Sequence, residues 1–270
     1  IFPNLEYLDI DFDEAQKWLL SNTMKRQMHH LQELRLSRFN DVEHVSQILY
    51  RMPNLEKLYL LWSKIKDLLL ESSESRLGTV LQLKQLFLLE VNIKDIGFLR
   101  ESLLQRVQLL YINNCGNLRN LGPPSVSLAY LTDLEVVHCG RLRYLMASST
   151  AKSLVQLKSM KIMGCDEVKE IVTNEENEEE KQIVFDKLIT IELTRLKKLK
   201  SFCSYKNCEF KFPSLETLIV RECPVMQTFT ERGARAPKLQ NTIAPVEGKE
   251  EAKWPWEGDL NATIQKHFNK

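Results

Sequence analysis

Six cysteines carry the most reactive chemistry in this 270-residue chain, and their spacing argues against its use. Cys115, Cys139 and Cys165 lie 24 and 26 residues apart, and Cys223 follows 58 residues later. Each stands three residues beyond an aliphatic side chain: Ile112, Val136, Ile162 and Val220. A zinc site draws on Cys-x-x-Cys or paired Cys/His spacing, which the sequence lacks. One position recurring at long intervals points instead to a structural turn, with the thiol buried against backbone. Cys203 and Cys208 are five apart in a predicted loop and are expected to be free thiols. Free, regularly placed cysteines fit a reducing compartment.

The other reactive residue types give no constellation. His29 and His30 are adjacent and are expected at the surface, and His138 precedes Cys139 in a turn. No Gly-x-x-x-x-Gly-Lys-Ser/Thr phosphate loop, no Gly-x-Ser-x-Gly elbow and no His-Glu-x-x-His is present. The expectation is a non-enzyme with no catalytic residue, no metal ligand and no cofactor site. Asn261-Ala262-Thr263 matches the N-glycosylation acceptor, a tripeptide common by chance.

Charge excludes little more. The net charge of +1 gives no overall field toward nucleic acid or a membrane. No apolar run approaches the roughly 18 residues of a membrane span, and no signal peptide opens the chain. Asn174 to Lys181 holds five glutamates, expected as a solvated loop, with docking to a basic partner as the alternative. Arg195, Lys197, Lys198 and Lys200 form a basic cluster, but no aromatics interleave it to stack on bases.

What positions these residues is a recurring phrase, Leu-x-x-Leu-x-Leu. It appears as Leu5/Leu8/Ile10, Leu31/Leu34/Leu36, Leu55/Leu58/Leu60, Leu83/Leu86/Leu88, Val107/Leu110/Ile112, Leu131/Leu134/Val136, Leu157/Met160/Ile162, Leu188/Ile191/Leu193 and Leu215/Leu218/Val220. Successive phrases start 24 to 31 residues apart, near the roughly 20–29 of leucine-rich repeats. One unit cannot bury its apolar face alone, so stacking must complete the core. The predicted fold is an α/β leucine-rich repeat solenoid, with short parallel strands on the concave face and irregular, 3-10 or helical convex segments. Return segments with spacing three, such as Cys115/Leu118/Leu121, suit turns and 3-10 pieces. Early returns mix three and four, as in Val42, Val45, Ile48 and Leu49, and suit helix. About nine repeats fill residues 1–230. Residues 231–270 are expected as an irregular tail with a short capping helix, Asp259 being its N-cap and Leu260, Ile264 and Phe268 its apolar face, with the nearby tryptophans folding back over the last repeat. Ile1 falls inside a repeat, so the chain is expected to be a piece of a longer protein.

Residues between the apolar strand positions face the concave side. They place Tyr59, Leu61, Phe87, Leu89, Leu109 and Tyr111 in one apolar and aromatic patch over three neighbouring strands. Such a patch is unusual on a free surface and is expected to contact protein.

Several phrases resemble one family. Phe2-Pro3-Asn4-Leu5-Glu6-x-Leu8, Leu196-x-x-Leu199-Lys200-Ser201-Phe202, Phe212-Pro213-Ser214-Leu215-Glu216 running to Cys223-Pro224-x-Met226-x-x-Phe229, and Trp256-Glu257-Gly258-Asp259-Leu260-Asn261-x-Thr263-Ile264 are similar to the C-terminal leucine-rich repeats of plant coiled-coil nucleotide-binding disease-resistance proteins. The resemblance implies a coiled coil and a nucleotide-binding switch domain upstream, with ADP or ATP bound there and not in this chain. It implies repeats that sense a pathogen effector or a guarded host protein, and that help hold the switch domain off, in the cytoplasm. The alternative is the substrate-recognition repeats of an F-box type ubiquitin-ligase adaptor, which an F-box segment upstream would favour. An enzyme with an appended scaffold is disfavoured by the missing constellations.

Overall fold

The computed structural model describes residues 4–19, 28–39, 45, 48–49, 51–62, 82–97, 104–123, 127–174, 181–246, 249–254 and 257–268. The aliphatic triplets set its main sheet. Nine parallel strands, one per phrase, lie side by side: β1 (Tyr7–Asp11), β2 (Glu33–Ser37), β3 (Lys57–Leu61), β4 (Gln85–Leu89), β5 (Leu109–Asn113), β6 (Asp133–Val137), β8 (Ser159–Met163), β11 (Thr190–Thr194) and β13 (Thr217–Arg221). Strand registers keep like repeat positions opposite one another, as in Tyr59 with Phe87 and Phe87 with Tyr111. Within most of these strands half-buried and buried residues alternate, because side chains two apart share a face. Leu34, Leu58, Leu86 and Leu110 are fully buried on the inner face. Each is held by stacking on its neighbours, so a Leu→Ala change there would cost about 2–5 kcal/mol.

Backbone rules repeat as regularly as side chains. At the start of each strand one carbonyl accepts two amides from the next layer; Gln32 O takes Glu56 N and Lys57 N, and Glu56 O takes Lys84 N and Gln85 N. After the strand the chain turns through the left-handed region. Arg38, Trp62, Glu90, Asn114, His138, Arg195 and Glu222 all have φ between 50° and 57°, and Gly164 has 63°. Left-handed backbone costs a non-glycine residue about 1–2 kcal/mol. The conformation carries one more amide onto the neighbouring strand, as in Glu90 N to Asn113 O at 2.9 Å and His138 N to Met163 O at 2.9 Å. It also turns the next side chain into the core: Phe39, Val91, Cys115, Cys139, Cys165, Leu196 and Cys223 are all buried.

The return segments make the turns expected and, beyond them, short strands. Among the described residues each makes one turn, such as Leu118 N to Cys115 O at 3.0 Å, and then hydrogen-bonds to other layers rather than along the chain. Short strands result. β7 (Tyr144–Ala147) pairs with β9 (Glu170–Thr173), and β10 (Lys181–Val184), β12 (Cys208–Lys211) and β14 (Ala234–Arg235) form a third sheet. Stacked layers offer partners at every level, and ladder bonds displace a local 3-10 pattern. Among the described residues helix is confined to α1 (Phe12–Leu19), α2 (Ser148–Ser153) and α3 (Leu260–Phe268), beside the helical residues Val45, Ile48, Leu49 and Leu104. Val42 and the glutamates from Glu175 to Glu180 lie outside the described residues.

The last layers exchange leucine for aromatic rings. Phe185, Phe202, Phe210, Phe212 and Phe229 are buried together, with Phe185 stacked on Phe212 at 5.5 Å and Phe202 on Phe229 at 4.8 Å. The expected boundary near residue 230 is not where the sheet ends. β15 (Asn241–Val246) adds a tenth parallel strand against β13, and β16 (Lys249–Trp254) folds back antiparallel on it. The ladder shifts register between Ala244 and Val246, where Pro245 has no amide to give. Helix α3 follows these strands. Asp259 Oδ1 accepts Ala262 N at 3.0 Å, and Leu260 and Ile264 are buried. The side chains of Trp254, Trp256 and Phe268 lie outside the described residues.

Candidate functional site

The concave patch is built by register. Tyr59, Phe87 and Tyr111 occupy the middle outward position of three adjacent strands, Leu61 and Leu89 the next outward position, and Leu109 the first of β5. All six are half-buried. Tyr59 and Phe87 stack at 4.2 Å between centroids with a 7° interplanar angle, and Phe87 meets Tyr111 at 6.0 Å and 48°. Offset aromatic pairs contribute about 0.5–1.5 kcal/mol beyond area burial, so the rings are held ready for contact. Asn113 Nδ2 donates to Tyr111 Oη at 3.0 Å and fixes the last ring.

Two neighbours escape a reading based on strand pattern. The Arg35 guanidinium carbon lies 4.6 Å from the Tyr59 ring centre and 5.7 Å from that of Tyr7, extending the column by two groups. Desolvation opposes the Arg35 charge, but the Tyr7 and Tyr59 phenols outweigh it and raise its pKa above the ordinary value. Trp62, in the left-handed position after β3, is 54% exposed beside Leu61. Its signal in the sequence was only an aromatic residue following an aliphatic strand. Arg35 had a signal too, as a cation one register step from Tyr59.

The turn cysteines form a second repeated feature. Cys139 Sγ meets Val137 O at 3.5 Å, Cys165 Sγ meets Met163 O at 3.5 Å, and Cys223 Sγ meets Arg221 O at 3.3 Å and Leu193 O at 3.5 Å. Cys115 Sγ lies 3.7 Å from both Leu88 O and Asn113 O. Cys139 N donates to Cys165 Sγ at 3.3 Å, so the thiols also link successive layers. Hydrogen bonds with Cys115 and Cys165, then burial, push the Cys139 thiol far up, and burial pushes Cys223 up to about 12. The Cys139 and Cys223 thiols therefore stay protonated and inert at neutral pH, while the hydrogen bond with Cys139 lowers the pKa of Cys115 and of Cys165. Cys203 and Cys208 are buried, and the Cys203 thiol is pushed up by its hydrogen bond with Cys208 and then by burial. His29 and His30 are exposed in the turn before β2. Among the described residues no group of three His, Cys, Asp or Glu side chains could hold a metal ion, and no helix is long and apolar enough to cross a membrane.

With an aromatic strip on a parallel sheet and buried thiols at four of the turns, comparison with known families becomes decisive. Residues 77–166 and 124–234 each match the leucine-rich repeats of RPS2-like plant disease resistance proteins, and together the two matches span more than half of the chain. The chain belongs to this family. Its repeats are therefore the leucine-rich repeat region of an RPS2-like plant disease resistance protein, a module connected with defence. A search of curated proteins finds no match. Cys115, Cys139, Cys165 and Cys223 all fall within the matched span, as do Phe87, Leu89, Leu109 and Tyr111 of the strip, whereas Tyr59 and Leu61 precede it.

Proposed function

We propose that these RPS2-like repeats are a non-catalytic protein-recognition and autoinhibitory module of an intracellular immune receptor. The observation that carries the reading is the stacked, half-buried column of Arg35, Tyr59, Phe87 and Tyr111 beside Leu61 and Leu89. An apolar strip of this kind, with tyrosine anchors, suits a protein partner better than a small ligand. The partner is a pathogen effector or a guarded host protein. The restraint is a contact between the solenoid and a nucleotide-binding switch domain elsewhere in the receptor, where ADP or ATP binds. Ligand and switch domain compete for the solenoid, and a ligand that prefers the open receptor shifts it open.

The test is Tyr59→Ala, Phe87→Ala and Tyr111→Ala together in the full-length receptor. Either the response to the cognate pathogen is lost or the receptor becomes active without it, while thermal unfolding shifts by only a few degrees. A receptor that responds normally with all three rings removed would take the strip out of the recognition surface.

A further inference from the structure

The return side of the solenoid carries a line of like charge. Lys94, Arg119, Arg143, Lys169 and Lys200 occupy the same place in five consecutive layers, and all are exposed. Backbone rungs tie them in order. Arg119 N donates to Lys94 O at 2.8 Å, Arg143 N to Arg119 O at 3.2 Å, Lys169 N to Arg143 O at 2.9 Å and Lys200 N to Lys169 O at 2.9 Å. Adjacent layers are about 4.8 Å apart, so the five cations form a column about 19 Å long.

The carboxylates nearby are already engaged. Asp166 pairs with Lys197 at 2.8 Å, and Glu167 with Lys198 at 2.6 Å. Glu170, next to Lys169, accepts Ser204 N at 3.2 Å and Ser204 Oγ at 2.6 Å. No described carboxylate lies within ion-pair distance of Arg119, Arg143, Lys169 or Lys200. Like charges stacked one layer apart repel, and that repulsion is relieved when an anion lies along them.

We propose that this column binds a carboxylate-rich extended segment of a protein. An extended chain repeats its side chains on one side every 6.6–6.8 Å or so, so about four carboxylates on one side of a seven-residue segment would span the column. The line is one residue wide, and Asp166, Glu167 and Glu170 border it. A duplex or a lipid surface would press its phosphates against those carboxylates, whereas a single narrow chain avoids them. The main-sheet strip lies on a different side of each layer, so this surface is independent of the one assigned to recognition.

The test uses the whole chain and a fluorescent octaglutamate peptide, read by anisotropy at 50 and 150 mM salt. Arg119→Gln, Arg143→Gln, Lys169→Gln and Lys200→Gln together weaken binding about tenfold or more. A control with the same charge loss at the exposed Lys152, Lys158, Lys206 and Lys238, all changed to Gln, weakens it less than twofold. The column variant also melts slightly higher than the parent at 50 mM salt, because the repulsion is gone. Equal weakening in both variants, no binding by the parent, or tighter binding to a single-stranded oligonucleotide or to phosphatidylserine vesicles than to the peptide would overturn the proposal.

Discussion

Replacing Asn261 by alanine should unseat the C-terminal end of the solenoid. On the return side a second line of rungs crosses the layers: Ile96 N to Leu121 O, Leu121 N to Leu145 O, Ile171 N to Phe202 O and Phe202 N to Phe229 O. The next donor, Phe229 N, has no further layer to reach. It donates to Asn261 Oδ1 at 2.7 Å, Thr230 N donates to the same oxygen at 3.0 Å, and Asn261 Nδ2 donates to Thr230 O at 2.6 Å. The carboxamide thus takes the place of a peptide group. Alanine leaves two amides and one carbonyl unpaired beside the fully buried Phe229 and Thr230. Unpaired buried groups cost about 1–3 kcal/mol each, and water reaching this end of the stack trims the total to about 3–5 kcal/mol. Asn261→Asp keeps both acceptor bonds and loses the donor, for about 1–2 kcal/mol. Stability in a solenoid is a sum over neighbouring layers, so the damage stays local. Urea unfolding gives the loss, and hydrogen exchange locates it: the Phe229 and Thr230 amides exchange faster in Asn261→Ala while those of Ile112 and Val136 do not. A loss under about 0.5 kcal/mol, or unchanged exchange at Phe229, would refute the view of Asn261 as the last rung.

Gly164→Ala should cost about 1 kcal/mol from the backbone alone, because φ +63° charges alanine about 1–2 kcal/mol and a stiffer unfolded chain returns about 0.4–1, and the clash with His138 adds to this. The new Cβ would fall 2.4 Å from His138 Cδ2, so adding His138→Ala recovers part of the loss in urea denaturation. Stability should also fall at alkaline pH. The Cys223 thiol titrates near 9 when unfolded and near 12 when folded, so its contribution is whole below pH 9 and is lost as pH rises toward 12. At pH 10.5 that is about 2 kcal/mol, and Cys223→Ala should flatten the slope of stability against pH by about one proton between pH 9 and 12.

The main sheet was legible because its signal is apolar burial. Two inward side chains per strand, repeated in nine phrases, leave a pattern that no surface requirement disturbs. The tenth strand kept the spacing and lost the chemistry. Leu239, Thr242 and Ala244 stand in the phrase's positions, and Leu239 and Thr242 are buried, but only one of the three is a large aliphatic. The β7–β9 pairing was silent because backbone amides make it whatever the side chain. Asn261 appeared only as part of an acceptor tripeptide and of the closing family phrase, since a residue type does not disclose that its amide will stand in for a peptide. The cationic column was present in the letters, 25, 24, 26 and 31 residues apart. Aligning units on their strands hid it, because the unit holding Lys94 has a shorter turn than those holding Arg119 and Arg143. Tyr59, Phe87 and Tyr111 were visible through strand alternation, whereas the Arg35 contact needed coordinates.

The two surfaces bear differently on how a receptor could be held and released. Layers four and five supply Phe87 and Tyr111 to the strip and Lys94 and Arg119 to the column, through different parts of the same repeat. Steric competition requires a shared surface. A ligand on the strip would therefore displace a restraining domain seated on the strip, but not an acidic segment seated on the column. Coupling between the two sides would instead need a change in how layers stack, and the bonds between layers oppose that: one strand-start carbonyl takes two amides, and each return adds rungs of its own. On the proposed reading, ligand release of a switch domain would then depend on strip occupancy alone, and a contact on the column would act as a tether that persists through activation. Charge loss at Arg119, Arg143, Lys169 and Lys200 should for that reason alter association of the receptor's parts before and after activation alike. Loss of the Tyr59, Phe87 and Tyr111 rings should alter only the step between the two states.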